Sequence, residues 1–521
     1  RVMEGVGSAW GLRGSVLARL FAQNPSGDEG VKHTLATHIL EAYGERHALA
    51  VQWLHQLYIE EIRGSRVQDR QRGMEWALGL LIEGLTESGD IRHTTRLLAE
   101  APCVGEATME RVLSMCESND KTRRQVGLAC LRTLIVHHAA WSAGGLKKLL
   151  TYTASEDENL RGPAIRLVCG KVIEQPHLAQ PIEEEAVSNL RKACLLDGDG
   201  PGAEGTLVRH KMHLFLSLCA QKHTLLESLL DTYLLSSSGV RTGIQNSISD
   251  MIKAIGPESP ELLKILEECK KGAELLLLAF VRTLTENGAH PTLVGAIKKL
   301  YAREQDARFM IYIVGGLPKE ELLEVLPNIV ALPSVGAKAA LQRMLHARPA
   351  PLTPEKLLVA LHKLQPSKTL TMRKIADSIE CCFQERDIFT TQVLAVILQQ
   401  LVDQNPIPLL YMRTVLLSLK LSPTLTNFVM GILHRLISKQ VWMQPTLWEG
   451  FIKCCKQSLP RSLDILITLP PNRLADAISH SPDLAVPLDQ YVLQQQQQGR
   501  PVPVQIVHVI AQALERGRGS G

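Results

Sequence analysis

Two histidines and one glycine-rich segment are the residues of this sequence whose types and spacing could do chemistry. His210 and His213 are three residues apart, so on a helix both rings share a face and could chelate a metal ion. No HExxH motif or carboxylate partner accompanies them, which favours two surface histidines. Residues 200–205 match GxGxxG, a turn that binds dinucleotide phosphate when it follows a strand. The preceding residues, 190–196, have a helical pattern, so we interpret 200–205 as a loop.

Cysteine chemistry is a second option. The chain has 11 cysteines, no CxxC motif and irregular spacing, and most of the cysteines lie in apolar helical stretches. This pattern predicts buried, reduced thiols rather than disulfides or zinc ligands. A Cys–His pair distant in sequence stays open, but no cysteine lies in a recognisable active-site motif, and GxSxG and P-loop motifs do not occur. We therefore predict a protein that is not an enzyme and uses no metal or cofactor.

A basic and aromatic cluster points to binding instead. Arg435, Lys439 and Trp442 are spaced by four and three residues, on the side of a predicted helix opposite Leu433 and Leu436. Trp and Arg provide much of the binding energy at protein interfaces, so this face is a candidate partner site. The alternative is that Trp442 packs on the next helix and that the two cations keep the surface soluble.

The overall charge and hydropathy exclude two other classes of protein. The 57 basic residues nearly balance the 53 acidic ones, and a net charge of +4 does not predict a nucleic-acid-binding protein. Lysine pairs such as Lys147-Lys148 and Lys298-Lys299 keep direct RNA contact open, although a protein scaffold does not require it. The apolar run 275–281 is much shorter than the roughly 20 residues of a membrane-spanning helix, so we expect no membrane insertion.

Short amphipathic helical patterns must position any such site, because they fill nearly the whole chain. Blocks of roughly 35–45 residues contain two helical patterns each, which is the length of a HEAT unit. Several helix starts combine a hydroxyl cap with proline at the first helical position, as in Thr353-Pro354 and Ser259-Pro260. We predict an all-α fold, a HEAT/armadillo-like α-solenoid of stacked antiparallel helix pairs.

The same patterns predict how the chain is organised. We expect an irregular N-terminal segment over 1–30, a helical-repeat half over 31–197, a flexible glycine-rich loop over 198–205, a second helical-repeat half over 206–490, and a glutamine-rich tail over 491–521 with one last helix. The loop is a candidate junction between the halves. Spacing by three and four residues places Phe389, Ile397, Phe428 and Leu433 in the core.

Between residues 380 and 474 the sequence resembles the C-terminal region of the symplekin family. The resemblance is carried in order by 382–386 (CFQER), 393–396 (VLAV), 399–401 (QQL), 408–415 (PLLYMRTV), 428–430 (FVM), 435–437 (RLI), 439–442 (KQVW), 448–455 (WEGFIKCC) and 469–471 (LPP). It extends well over about 300–490. The glutamine run 494–498 and the loop 198–205 depart from the family pattern. Because the chain begins with Arg1, we expect it to be part of a longer protein.

The resemblance implies a function that periodicity does not. Symplekin-like proteins are non-catalytic scaffolds of nuclear pre-mRNA 3′-end processing, in both cleavage and polyadenylation and histone pre-mRNA cleavage. Their C-terminal region is expected to bind the cleavage endonuclease and its inactive metallo-β-lactamase-like paralogue, and the cleavage stimulation factor is a further expected partner. The family implies a nuclear location, with cytoplasm or cell junctions as additional ones.

The matched blocks also suggest docking residues. We predict that partners contact exposed cations and tryptophans in these blocks, namely Arg386, Arg413, Arg435, Lys439, Trp442, Trp448 and Lys453. The alternative function is a generic HEAT-repeat scaffold in another nuclear pathway, either transport or an Integrator-like complex.

Overall fold

The computed structural model describes residues 10–22, 29–63, 72–194 and 203–518. Regular secondary structure in these residues is helical, and they contain no strand. The predicted all-α class and the helical-repeat solenoid are therefore confirmed.

Two compact units make up the chain. The first comprises Arg1–Leu262 and Lys270–Leu276, and the second comprises Leu263–Cys269 and Leu277–Gly521. This division does not coincide with the predicted junction at 198–205. Residues 198–202 lie outside the described residues, and 203–205 already belong to a helix, so the prediction of a non-helical loop is wrong for those three residues.

Fourteen α-helices of the described residues lie in unit 1. They are α1 (Trp10–Ala22), α2 (Glu29–Glu41), α3 (Tyr43–Arg63), α4 (Arg72–Glu87), α5 (Ile91–Glu100), α6 (Glu106–Cys116), α7 (Lys121–His137), α8 (Ala139–Thr153), α9 (Glu158–Leu167), α10 (Pro176–Cys194), α11 (Ala203–Cys219), α12 (Leu226–Leu235), α13 (Ser238–Ser247) and α14 (Ser249–Ile255). Helix α1 contradicts the predicted irregular segment over 1–30; residues 1–9 and 23–28 lie outside the described residues.

Helices α15 (Pro260–Glu268) and α16 (Glu274–Leu284) contribute residues to both units. Unit 2 continues with α17 (Pro291–Glu304), α18 (Ala307–Met310), α19 (Lys319–Val330), α20 (Ser334–His346), α21 (Pro354–Lys363), α22 (Met372–Cys382), α23 (Thr391–Val402), α24 (Tyr411–Leu421), α25 (Thr426–Ser438), α26 (Pro445–Gln457), α27 (Leu463–Leu466), α28 (Pro471–His480), α29 (Ala485–Gln497) and α30 (Val504–Arg518). The glutamine run belongs to α29, which continues to Gln497, so this helix extends into the predicted glutamine-rich tail.

From α20 onward, unit 2 is a two-layered array. Helices α20, α22, α24, α26, α28 and α30 form layer A, in which the Arg413–Glu380 ion pair joins α24 to α22. Helices α21, α23, α25, α27 and α29 form layer B. Successive helices along the chain alternate between the layers, as expected for stacked antiparallel pairs. Connections from A to B therefore lie at one edge of the array, and connections from B to A lie at the opposite edge.

Capping and apolar spacing explain these helices locally. The Thr353 side chain accepts a hydrogen bond from the Lys356 amide at 3.4 Å, and Pro354 occupies the first helical position of α21. Ile397 and Leu433 are fully buried between the layers, as predicted. Phe428 is 37% exposed, contrary to the prediction. It lies just outside the stripe that the buried residues of α25 form, so it faces solvent.

In unit 1, two buried arginines fasten the turns before α7 and α9. Arg124 Nε donates to the Ser118 carbonyl at 3.0 Å, and Arg161 Nη1 donates to the Ser155 carbonyl at 2.7 Å. Arg124 also donates to the Asn159 carbonyl of the following repeat at 3.3 Å. The repeated pattern Ser-x-Asp-x-x-x-Arg, at 118–124 and 155–161, encodes this arrangement. We did not recognise it from the sequence, although it was visible there as a repeat.

Candidate protein-docking surface

The seven predicted docking residues all lie in unit 2, but they do not share one face. Layer A carries Arg413 on α24 and both Trp448 and Lys453 on α26. Layer B carries Arg435 on α25, and Lys439 caps the C-terminal end of that helix. The remaining two are in connections, with Arg386 between α22 and α23 and Trp442 in the 3-10 turn Val441–Met443.

The edge with the B-to-A connections brings several of these residues together. Helix α23 ends there at its cap Asp403, α25 ends there at Lys439, and α26 and α28 begin there. We call this group the Trp442 edge and define it as Asp403, Arg435, Lys439, Trp442, Met443, Trp448 and Arg473. Arg386 lies in an A-to-B connection, at the opposite edge of the array.

Trp442 is half-buried between two neighbours. Its ring meets Trp448 edge-on, with centroids 6.4 Å apart and planes at 87°. The guanidinium carbon of Arg473 lies 5.9 Å from the centroid of the Trp442 ring, a cation–π distance. Met443 next to it is 70% exposed. The Trp442 edge thus presents a partly exposed indole, a flexible thioether and a cation beside one another, which is a composition typical of protein interfaces.

Trp448 supports this group from inside. It is only 5% exposed, stacks on Phe451 with centroids 5.4 Å apart, and its Nε1–H donates to Asp476 Oδ2 at 2.7 Å. A partner cannot reach its indole without opening the core. Trp448 therefore supports the ring of Trp442 from the core, instead of contacting a partner directly as predicted.

The predicted cations on layers A and B already have partners within the chain. Arg413 pairs with Glu380 at 2.6 Å, and Lys453 pairs with Glu449 at 2.7 Å. Lys439 Nζ donates to the Val402 carbonyl at 2.5 Å, at the C-terminal end of α23. These contacts orient the side chains and leave them exposed, so a partner could bind the pairs from the solvent side.

Arg435 is held in the same way, by an acid of the neighbouring layer B helix. Its guanidinium donates to the carboxylate of Asp403, and this hydrogen bond, together with one from Gln399, holds the pKa of Asp403 below its usual range. The ion pair ties the end of α25 to the end of α23 and fixes the position of the Trp442 edge.

The outer face of layer B is a second exposed surface, and it is poor in charge. Helix α23 contains no charged residue, and Arg435 is the single Lys, Arg, Asp or Glu of α25. Val396 and Phe428 are 45% and 37% exposed, and a Cβ atom added at Gly431 would meet no atom within 4 Å. The sequence does not predict this surface, because residue spacing places Phe428 in the core.

The two histidines considered as metal ligands lie in unit 1, whereas the predicted docking residues lie in unit 2. His210 and His213 are half-buried on α11 rather than surface residues as predicted, and burial, reinforced by Arg161, lowers the pKa of each. In the part of the chain that the structure describes, no three His, Cys, Asp or Glu side chains are grouped as metal ligands.

The cysteines are consistent with the prediction of reduced thiols. All 11 are free and nine of them are buried. Burial raises the pKa of Cys169 to about 11 and that of Cys130 to about 12, which leaves both thiols protonated and unreactive at neutral pH. Among the described helices, none has the length and apolar character needed to cross a membrane.

The lysine pairs considered for RNA binding are partly engaged within the protein. Lys298 pairs with Glu321 at 2.7 Å and Lys299 pairs with Glu267 at 2.8 Å. Paired lysines attract phosphate less than isolated ones, so this contact pattern does not favour an RNA surface there.

Comparison with known proteins decides what this part of the chain is. Residues 306–481 match the family model described as the symplekin tight junction protein C terminal. This part of the chain is a symplekin C-terminal region. The match lies within unit 2 and contains all seven predicted docking residues and the whole Trp442 edge.

The symplekin region runs from α18 to α28, so it covers most of the two-layered array and leaves α29 and α30 outside it. A solved structure of an engineered protein is similar in sequence at 12% identity, over 89% of this chain and 98% of that one, with a TM-score of 0.18. The assignment rests on the family match.

Proposed function

We propose that this protein is a non-catalytic scaffold of nuclear pre-mRNA 3′-end processing that docks other protein subunits on unit 2. The observation that carries the proposal is the symplekin C-terminal region at 306–481, which covers most of the two-layered helical array. A helical array offers an extended surface with many independent attachment points, and such surfaces typically bind other proteins.

The proposed partners are the cleavage endonuclease and its inactive metallo-β-lactamase-like paralogue, in cleavage and polyadenylation as well as histone pre-mRNA cleavage. The cleavage stimulation factor is a further proposed partner, and the proposed location is the nucleus, with cytoplasm and cell junctions as further locations. Binding several factors to one array raises their effective concentration around one RNA, so the scaffold would accelerate assembly without chemistry of its own.

Docking is proposed to use the Trp442 edge. Trp442 has a rigid ring whose position is fixed by Trp448 and Arg473, so little side-chain entropy is lost when a partner covers it. Arg435 and Lys439 are fixed by contacts at the end of α23 and present charge beside that ring. Arg386, Arg413 and Lys453 are proposed as secondary contacts outside the edge.

A pull-down with purified proteins tests the proposal. The whole chain is combined with the C-terminal domains of the endonuclease and the paralogue at moderate salt, and we expect a stoichiometric complex. Replacing Arg435, Lys439 and Trp442 together by Ala is expected to weaken the complex about 30-fold or more, as for the loss of one interface hot spot.

The matched control removes one exposed tryptophan and two exposed cations elsewhere, by Trp76→Ala, Arg373→Ala and Lys420→Ala. This variant should bind as the unmodified chain does. Full binding by the Trp442-edge variant would reject this edge as the docking site. Absence of any complex with the unmodified, folded chain would reject these partners and favour the generic scaffold in another nuclear pathway.

A further inference from the structure

Unit 1 contains an open groove, and the proposed function of unit 2 does not use it. The groove lies between α8 and α10 and has a volume of about 700 Å³. Its α8 wall is a stripe that runs from Ala139 through Ala143 and Leu146 to Leu150, one side chain per helical turn. Leu178 and Pro181 of α10 form the facing wall.

Small side chains keep this groove open. Helix α8 packs on α7 and α9, and α10 packs on α11, but α8 and α10 barely touch each other in the described residues. Ala139 and Ala143 on α8 and Pro181 on α10 line the gap between these helices. The leucines beneath are nearly buried, at 5% for Leu146 and 4% for Leu178, and they provide an apolar floor.

The two rims of the groove carry charges of opposite sign. Lys147 is exposed on the α8 rim. Glu185 stands on the α10 rim, where its carboxylate lies 3.7 Å from the Lys192 ammonium of the same helix and remains partly exposed. An occupant that fits both rims therefore needs acidic residues along one flank and basic residues along the other.

We propose that the groove between α8 and α10 binds an amphipathic α-helix of a partner protein, with a stripe of small and leucine side chains on the floor, an acidic flank toward Lys147 and a basic flank toward Glu185. Both walls are helices, whose backbone groups are mostly bonded internally, so an extended peptide would find few backbone partners there. A helix satisfies its own backbone and needs only side-chain contacts. A volume of about 700 Å³ accepts the inner face of roughly two to three helical turns.

Synthetic helical peptides test whether the groove prefers an occupant with an acidic flank and a basic flank. Four fluorescent peptides, each about 20 residues long, share one Ala/Leu stripe. Two have Glu on one flank and Lys on the other. These two differ in which flank carries Glu, so that a helix bound in either direction along the groove is tested. The other two have Glu on both flanks or Lys on both flanks. Fluorescence anisotropy with the whole chain should show that at least one peptide with segregated charge binds about tenfold tighter than either uniform one.

Single charge reversals on the rims should switch the preference. Lys147→Glu makes both rims acidic, so the peptide with Lys on both flanks should become the tightest binder. Glu185→Lys makes both rims basic, and the peptide with Glu on both flanks should then bind best. Equal binding of the four peptides, or an unchanged ranking after both reversals, overturns the proposal.

Filling the groove gives a test that does not depend on charge. Ala143→Phe should abolish peptide binding, whereas Ala140→Phe, at an exposed position of the same helix that does not line the groove, should leave it unchanged. Circular dichroism confirms that both variants are folded. Binding that survives Ala143→Phe overturns the proposal. So does an oligomer of the unmodified chain that Ala143→Phe dissociates, because the occupant would then be a second copy of this protein.

Discussion

Two arginines of unit 1 and two of unit 2 hold their surroundings in different ways. In unit 1, Arg124 and Arg161 are 9% and 4% exposed and donate to carbonyls of the turns before α7 and α9. In unit 2, Arg413 and Arg435 are nearly half exposed and pair with acids on the neighbouring helix of the same layer. Arginine is thus a buried donor to turn carbonyls at 124 and 161 and a surface charge at 413 and 435.

This difference indicates where each unit obtains its stability. Removing a buried guanidinium leaves carbonyl oxygens without a donor, whereas removing an exposed one lets water replace it. In unit 2 the strong link between neighbouring helices is the buried indole of Trp448, which reaches from α26 to Asp476 of α28. We therefore expect Arg413 and Arg435 to contribute less to the stability of unit 2 than Arg124 and Arg161 contribute to that of unit 1.

The largest effect is expected from Trp448→Ala. Removing a buried Trp side chain leaves a cavity, and such changes destabilise by about 3–5 kcal/mol. Trp442→Ala is the matched control, because Trp442 is only half-buried, and it should cost about 1 kcal/mol. Urea unfolding and hydrogen exchange of α26 and α28 measure both variants. Equal losses from the two replacements would show that Trp442 is as much a core residue as Trp448.

Arg161→Ala tests the other side of the comparison. The change removes two hydrogen bonds, to the Ser155 and Glu156 carbonyls at 2.7 and 3.1 Å, and should destabilise unit 1 by about 3 kcal/mol. Arg166→Ala, an exposed arginine on the same helix, should change stability by about 0.5 kcal/mol or less. Hydrogen exchange in α9 and α7 localises the effect. A loss for Arg161 as small as that for Arg166 would contradict the fastener role.

Helix identity and core position were the predictable part of this fold, because they depend on local spacing. The Thr353-Pro354 start of α21 and the burial of Ile397 and Leu433 follow from short-range rules of capping and periodicity. The prediction that Phe428 is buried was wrong, because spacing alone does not fix the width of the buried stripe. Phe428 lies at the margin of that stripe and faces solvent. The prediction of an irregular segment over 1–30 missed helix α1, because the glycine-rich surroundings of this helix were given more weight than its own apolar residues.

The geometry of the candidate site was less predictable, because it depends on contacts between repeats. The spacing predicted Arg435, Lys439 and Trp442 on one face of one helix. Helix α25 instead ends at Ser438, and Trp442 lies in the following 3-10 turn, although all three residues lie at one edge of the array. The sequence alone does not predict the cation–π contact of Trp442 with Arg473, which belongs to another helix. Nor does it predict that Trp448 is buried. Such contacts follow from how repeats stack.

Unit 2 also has a buried hydrogen bond between the side chains of His362 and Thr414, and it makes the stability of this unit depend on pH. In α21, His362 Nδ1–H donates to the Leu358 carbonyl at 2.8 Å, and the Thr414 hydroxyl of α24 lies 2.8 Å from Nε2. Burial lowers the pKa of His362 below its ordinary value of 6.5. The folded protein therefore keeps this ring neutral at a pH where the unfolded chain takes up a proton.

The sign follows from that difference. The stability from His362 is fully present above about pH 6.5 and is lost as the pH falls below it, by at most about 1.4 kcal/mol per pH unit, down to the folded pKa. Urea unfolding from pH 7.5 to pH 5 measures the slope. His362→Gln should flatten it, while His434→Gln, at an exposed position of α25, should not. A slope unchanged by His362→Gln would assign the pH dependence to other groups.

The smallest effect is expected at the surface pair Arg413–Glu380. Both side chains are about half exposed, at 46% and 50%, so water can solvate each charge when the other is removed. A double-mutant cycle with Arg413→Ala and Glu380→Ala should give a coupling energy below about 1 kcal/mol, and it should shrink further at high salt. A coupling above about 2 kcal/mol would mean that this exposed pair fastens α24 to α22 as firmly as Arg161 fastens its turn. Arginine links in the two units would then be equivalent, and the surface arginines of unit 2 would not be free to serve a partner without loosening the array.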